Sequence, residues 1–279
     1  MKFKYIIIGF NILIILFLLV IALTPVIILG SEIAVKFWIS GWPLALVLLA
    51  SLICLNVFFL LNRRLFMLLE KEDWPALIDY LERRIYGKDR YAPRLVRLLA
   101  NSYIILSDSA GVLRLEKKIS QAKPALLDRF ALIFGAARIL DGDSAGAAAF
   151  FSTRLEKGKP GDPQWVRMFY AFSLLVSRAF EKAETEFCAL AIAGGNPLIT
   201  GLSAFFLSET LCKFSGHPEE CRDIAEQARR RVTAKLVKPQ DWHREAVKIE
   251  TEIHAAVIKK FIDQCAQWLY AEESNENNQ

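Results

Sequence analysis

Histidine is scarce. Only three occur in 279 residues: His217, His243 and His254. None sits in an H-E-x-x-H pattern, and neither a G-x-S-x-G elbow nor a glycine-rich dinucleotide turn is present. Glu250 and His254 stand four apart, the spacing of a helix-surface pair. "DGD" at 141–143 has no further carboxylates clustered nearby in sequence, so it reads as a turn rather than a metal loop. "GKPGD" at 158–162 lacks both the G-x-x-x-x-G-K-[ST] pattern and a preceding strand, so it reads as a loop. The expectation is a protein that is not an enzyme, with no catalytic residue, no metal site and no cofactor.

Cysteine is limited to Cys54, Cys188, Cys212, Cys221 and Cys265, with no C-x-x-C. An odd count on a reducing side predicts free thiols. Strand-like alternation of apolar and polar residues is absent, which excludes a sheet. The basic excess is mild, +5 over the whole chain, too little to imply a nucleic-acid partner.

Charge is missing altogether from Tyr5 to Leu29 and from Trp42 to Leu61. About 20 apolar residues cross a ~30 Å hydrocarbon core. The sequence therefore predicts a transmembrane hairpin over residues 1–61, with helices at about 5–29 and 42–61. "GSEIAVKFWISGW" would form the connecting loop, with Trp38 and Trp42 at the outer interface. Lys2 and Lys4 precede the first helix, while Arg63, Arg64 and Lys71 follow the second. This bias puts both termini on the cytoplasmic side of a two-pass integral membrane protein.

The remaining chain reads as helix throughout. Pro75, Pro93, Pro124, Pro163, Pro197, Pro218 and Pro239 punctuate it. Proline suits the first helical turn, where its missing N–H has no intrahelical partner, so helix starts are expected near these residues. Short helices in succession direct attention to internal repeats. "EDWPAL" (72–77), "SDSAGV" (107–112), "GDSAGA" (142–147), "RAFEKA" (178–183) and "GHPEEC" (216–221) align in one register. They end on Leu77, Val112, Ala147, Ala183 and Cys221, spaced 35, 35, 36 and 38. A second small-residue register, Ala100, Gly135 and Ala171, lies seven residues before three of the turns. Small side chains at both positions let two helix axes approach closely.

Over residues 62–228 this pattern resembles the tetratricopeptide repeat superfamily. The small residue and aromatic of the first helix match at Ala100 and Tyr103. The turn matches at Gly142-Asp143 and at Phe180-Glu181-Lys182-Ala183. Phe151 and Phe187 match the later aromatic, and Pro124 the repeat-end proline, with Pro160 and Pro197 one or two residues late. The first repeat lacks a first helix unless the second membrane helix continues through "NRRLFMLLE". The last block is loose, with Glu209 where a small residue belongs.

The resemblance implies an all-α fold, with a TPR-like α-solenoid of helical hairpins over 62–238 behind the membrane hairpin. One long amphipathic helix over 239–270 would cap it, followed by a disordered acidic tail at 271–279. In the solenoid family the first helix of each hairpin lines a concave, peptide-holding face. Here that face would carry Arg94, Arg97, Asn101, Arg129, Ala136, Trp165, Met168, Phe172, Ser203, Phe206 and Lys213. One end would be basic and the middle aromatic, suited to a peptide or helix segment with acidic and apolar residues. Alternatively, Trp165 and Met168 pack against a neighbouring repeat and the arginines form a solvated face. The family's carboxylate-clamping ligand does not carry over, because Ile133, Trp165 and Phe169 stand where its polar partners belong.

Arg83, Arg84, Lys88 and Arg90 could meet anionic lipid. The layout is similar to bacterial inner-membrane proteins that join two N-terminal helices to such a domain. The expected function is a membrane-anchored scaffold for protein–protein interaction on the cytoplasmic face. The second reading is an accessory subunit of a membrane complex, with Asn11 and Asn56 buried against a partner helix.

Overall fold

The computed structural model describes residues 3–87, 91–250 and 255–271. The protein is all-α: 84% is helix, with no strand among the described residues. It divides into two compact units, Met1–Arg84 and Ile85–Gln279.

The first unit holds α1 (Phe3–Leu29), α2 (Ser31–Glu70) and most of α3 (Trp74–Tyr86). The break between α1 and α2 is a single residue, Gly30, at φ +76°, a conformation cheap only for glycine. The expected loop over 30–42 is therefore not a loop beyond Gly30, since Ser31 onward is helical and Pro43 is carried inside α2. "NRRLFMLLE" continues that same helix to Glu70. α1 and α2 pack against each other, and Asn56 Nδ2 donates to Asn11 Oδ1 at 2.8 Å.

Among the described residues one segment, Leu49–Glu70, is long and apolar enough to cross a membrane. Ile8–Ile21 in α1 is a shorter apolar stretch. Arg83 pairs with Asp79 at 2.9 Å, and Arg84 donates to the Tyr80 hydroxyl at 2.7 Å. Lys88 and Arg90 lie outside the described residues.

The second unit contains α4 (Pro93–Ile105), α5 (Ser109–Ala122), α6 (Ala125–Arg129), α7 (Ala131–Leu140) and α8 (Ser144–Lys157). It continues with α9 (Pro163–Val176), α10 (Phe180–Ala193), α11 (Pro197–Glu209) and α12 (Pro218–Lys235), then α13 (Pro239–Glu250) and α14 (Ala255–Leu269). Each of the seven expected prolines sits at the start of a helix or caps one. From α7 to α12 each helix packs on the next. α7 also touches α9, α9 touches α11, and α10 touches α12. The core follows this order as a run of buried aromatics, with Phe151 on Phe169 at 6.1 Å, Phe187 on Phe206 at 5.3 Å and Phe172 on Phe206 at 5.6 Å.

One turn recurs in the backbone. Glu72, Ser107, Gly142 and Arg178 all have positive φ, and each opens one of the aligned sequence blocks. In every case its N–H donates three residues back, and the next N–H donates five back. Examples are Ser107 to Ile104 at 2.9 Å with Asp108 to Tyr103 at 2.8 Å, and Arg178 to Leu175 at 3.0 Å with Ala179 to Leu174 at 2.9 Å. This is the left-handed helix stop that satisfies the terminal carbonyls. Asp73, Asp108 and Asp143 follow three of the stops and cap the next helix through Ala76, Gly111 and Gly146 N–H. The last residues of the five blocks, Leu77, Val112, Ala147, Ala183 and Cys221, are all buried. The small residues do bring helices together: a Cβ on Gly135 would lie 1.9 Å from Phe151 Cζ.

Two features differ from expectation. The C-terminal segment is not one long helix. Trp242 Nε1 donates to the Ile262 carbonyl at 3.3 Å, whereas 20 residues of straight helix would hold them about 30 Å apart. So α13 and α14 double back and pack on each other and on α11, and α14 also touches α7. The apolar spacing of 246–265 is equally satisfied by two short helices sharing one buried face. Secondly, Cys212 and Cys221 are joined as a disulfide. A 3₁₀ turn at Leu211–Lys213 returns the chain so that Cys212 meets the first turns of α12. Cys54, Cys188 and Cys265 remain thiols. The expected acidic tail lies outside the described residues from 272 onward.

Candidate functional site: an arginine-lined cleft

Pro93 starts α4 and places Arg94 and Arg97 one turn apart, both exposed. The five-residue α6 ends on Arg129, whose guanidinium lies 5.9 Å from the centre of the Phe130 ring. Asp162 caps α9 by accepting the Trp165 N–H at 3.2 Å, which fixes the buried Trp165 indole in the first turn. These groups surround an open cleft of about 620 Å³. Phe130, Leu132, Ile133 and Trp165 form its apolar walls, and Ile249 of α13 closes one side. That volume falls within the ~300–1,000 Å³ of typical ligand sites.

The lining has three guanidinium groups and one carboxylate, Asp162. Asp128, next to Arg129 in sequence, is engaged elsewhere, 3.2 Å from Arg154. Guanidinium forks match carboxylate geometry in pairs of hydrogen bonds.

Of the row expected on the concave face, Arg94, Arg97, Arg129 and Trp165 come together here. The rest do not. Asn101 is half-buried on α4, its Oδ1 without a hydrogen-bond partner, and does not line the cleft. Met168, Phe172 and Phe206 are buried. Phe261 of α14 sits 5.4 Å from Phe172 and 5.1 Å from Phe206, ring to ring. Ala136 is buried too, and Ser203 donates to its own helix at Ile199 O, 2.7 Å. Lys213 is exposed on the 3₁₀ turn, away from the cleft lining.

The face lined by α7, α9 and α11 is thus largely occupied by the chain's own C-terminal helices. A repeat period cannot reveal that occupant. The available signal was the apolar face of 246–265, which needed somewhere to be buried. Ile249 of α13 was missed as a lining residue for the same reason, while Phe130 and Asp162 cap α7 and α9 outside the small-residue register.

Elsewhere, "DGD" is occupied structurally. Asp141 accepts from Ser109 Oγ at 2.6 Å and Asp143 caps α8. Among the described residues no group of three or more His, Cys, Asp or Glu side chains could hold a metal ion. His254 lies outside them. Burial, then the Glu184 and Glu220 charges, pushes the Cys188 thiol up to about 11. Burial alone raises Cys265 well above its usual value. Neither has the depressed pKa of a reactive thiol.

Residues 111–271 match the family described as "Uncharacterised Treponema protein". The chain belongs to this family. The matched span runs from the start of α5 through α14, so it includes every cleft residue except those on α4. An uncharacterised protein of Treponema pallidum (strain Nichols) is similar over 239 residues at 29% identity. The similarity covers 81% of this chain and 74% of that protein. No solved structure matches the chain.

Proposed function

We propose that this family member is a membrane-anchored helical-repeat scaffold. On this reading α1 and α2 form a two-pass hairpin, both termini are cytoplasmic, and the protein holds other proteins rather than transforming a substrate. The repeats are TPR-like, and the observation that carries the reading is the recurring turn at 72, 107, 142 and 178, with its shared hydrogen bonds. A repeated helix stop of that kind favours stacked helical hairpins, which serve as binding scaffolds. The partner segment would carry carboxylates and an apolar side chain, and would engage Arg94, Arg97 and Arg129 over the Trp165 wall. Arg83 and Arg84 could add lipid contacts by exchanging their present partners for headgroups.

The competing reading makes the protein an accessory subunit that uses its membrane helices. The Asn11–Asn56 hydrogen bond favours the scaffold, because the two polar side chains satisfy each other within the hairpin.

The test is crosslinked affinity purification from native membranes with full-length protein and the 62–279 fragment as parallel baits. The scaffold reading expects a shared set of soluble partners. In the full-length bait, Arg94→Glu with Arg129→Glu, both at exposed positions, should cut their recovery at least tenfold with helical content unchanged. Partners seen only with full-length bait, and themselves membrane-embedded, would replace this reading with the subunit one.

A further inference from the structure

Cys212 lies in the 3₁₀ turn after α11 and Cys221 in the second turn of α12. Their Cα atoms are 5.6 Å apart, inside the range a disulfide spans without backbone movement. Both are buried, yet the chain linking them is mostly exposed from Lys213 to Glu220. Within that link Phe214 stacks on Phe180 at 4.6 Å, and Ser215 Oγ donates to Glu184 Oε1 at 2.6 Å. The bond therefore closes a small ring that ties the exposed Phe214, stacked on the half-buried Phe180 of α10, to α12.

The same unit keeps Cys188 and Cys265 as thiols. A disulfide framework built for an oxidising compartment seldom leaves such residues over. In reducing compartments, bonded cysteines are usually transient and redox-sensing. We propose that Cys212 and Cys221 form a reversible thiol–disulfide clasp that responds to oxidants. The proposal rests on the cytoplasmic placement argued above.

The oxidant class is a small-molecule disulfide. The thiolate of one cysteine attacks it, forming a mixed disulfide and releasing one small thiol. The second protein thiolate then attacks the protein sulfur of that mixed disulfide and releases the other small thiol. Two protein thiols give up two electrons and two protons, and the small disulfide is reduced to two thiols. An excess of small thiol runs the exchange backwards. With the clasp open, the 213–220 segment and its Phe214 contact lose a constraint. A ring of this size predicts a fall in Tm of about 5–10 °C.

The experiment uses full-length protein in intact cells. Cells are quenched in acid before and after a brief pulse of diamide, a thiol oxidant that promotes disulfide exchange, and free thiols are blocked with a maleimide in denaturant. The protein is then reduced and labelled with a heavier maleimide for mass spectrometry of the two peptides. The clasp expects both cysteines to be mostly thiol at rest, mostly bonded after the pulse, and thiol again after recovery. Purified full-length protein in detergent should show the Tm shift on reduction. Cys221→Ser should melt at the lower temperature with or without oxidant.

A pair that stays thiol through the pulse overturns the clasp. A pair bonded at rest and unchanged throughout overturns it as well, and makes the bond a permanent cross-link. A reporter Lys235→Cys separates the two kinds of failure. If a membrane-impermeant maleimide labels it in intact cells, the cytoplasmic placement has failed and the clasp falls with it. If only the permeant reagent labels it, a negative result belongs to the clasp alone.

Discussion

At the scale of single residues, much of this fold depends on side chains that are nearly absent. Gly135 faces Phe151 so closely that an added methyl would overlap the ring. Phe151 is itself buried and touches Phe169, so it has little room to yield. Gly135→Ala should therefore destabilise by about 1–3 kcal/mol through overpacking, read as a lower thermal or urea midpoint. Gly216→Ala is the control: nothing lies within 4 Å of its added Cβ, and the midpoint should hold to within about 0.5 kcal/mol. Equal losses in both variants would mean that helix contact is not what requires a small residue at position 135. The acids of the recurring turn act at the same scale, since Asp73, Asp108 and Asp143 each satisfy one backbone N–H that would otherwise begin a helix unpaired.

At the scale of elements, the sequence was informative about where helices start and stop and less so about what they meet. Proline positions located the starts, because the missing N–H fits only there. The block alignment located four stops, because one left-handed residue per stop imposes a fixed spacing. The α1–α2 junction was not legible. Gly30, Ser31 and Glu32 read as a polar loop, but a single residue at positive φ makes the turn and helix resumes at once.

The Asn11–Asn56 contact is a further property of that pair of elements. Asn56→Leu leaves Asn11 without its cross-helix donor. It should loosen the α1–α2 association by about 0.6–1.7 kcal/mol, measured by steric trapping or crosslinking of the hairpin in bilayers. Asn11→Leu combined with Asn56→Leu should cost about as much as the single change, since the same cross-helix bond is lost in both. A double variant clearly worse than the single would show that Asn11 supports the pair by more than this one cross-helix bond.

At the scale of the whole chain, Arg94, Arg97, Arg129 and Trp165 line one cleft, and periodicity could not say what covers the rest of the face expected to be concave. Period describes an element's relation to its own repeat. The C-terminal helices stand outside the repeat, so their destination depends on a long-range fit. Trp242 reaches over Gly201, Phe261 meets Phe172 and Phe206, and Tyr270 donates to Leu236 O at 2.6 Å. Removing residues 239–279 should therefore uncover a continuous aromatic surface. The expected result is a lowered Tm with strong binding of a hydrophobic dye, while helical content per remaining residue stays close to its starting value. A truncated protein that melts as before and binds no dye would mean that these helices contribute little to the core.

One dimension of α2 has a mechanical consequence. Forty residues of helix extend about 60 Å, twice the ~30 Å of a hydrocarbon core. Wherever the bilayer is centred on α2, about half of that rod must stand outside it. Gly41 and Pro43 lie in its first third, and from Leu44 to Glu70 the helix runs on with no further glycine or proline. On the proposed placement, then, the protein leaves the membrane on a stiff mast. The standoff between the lipid surface and the end of α2 is set by counting residues, and each inserted helical turn should lengthen it by about 5.4 Å while rotating little of what it carries.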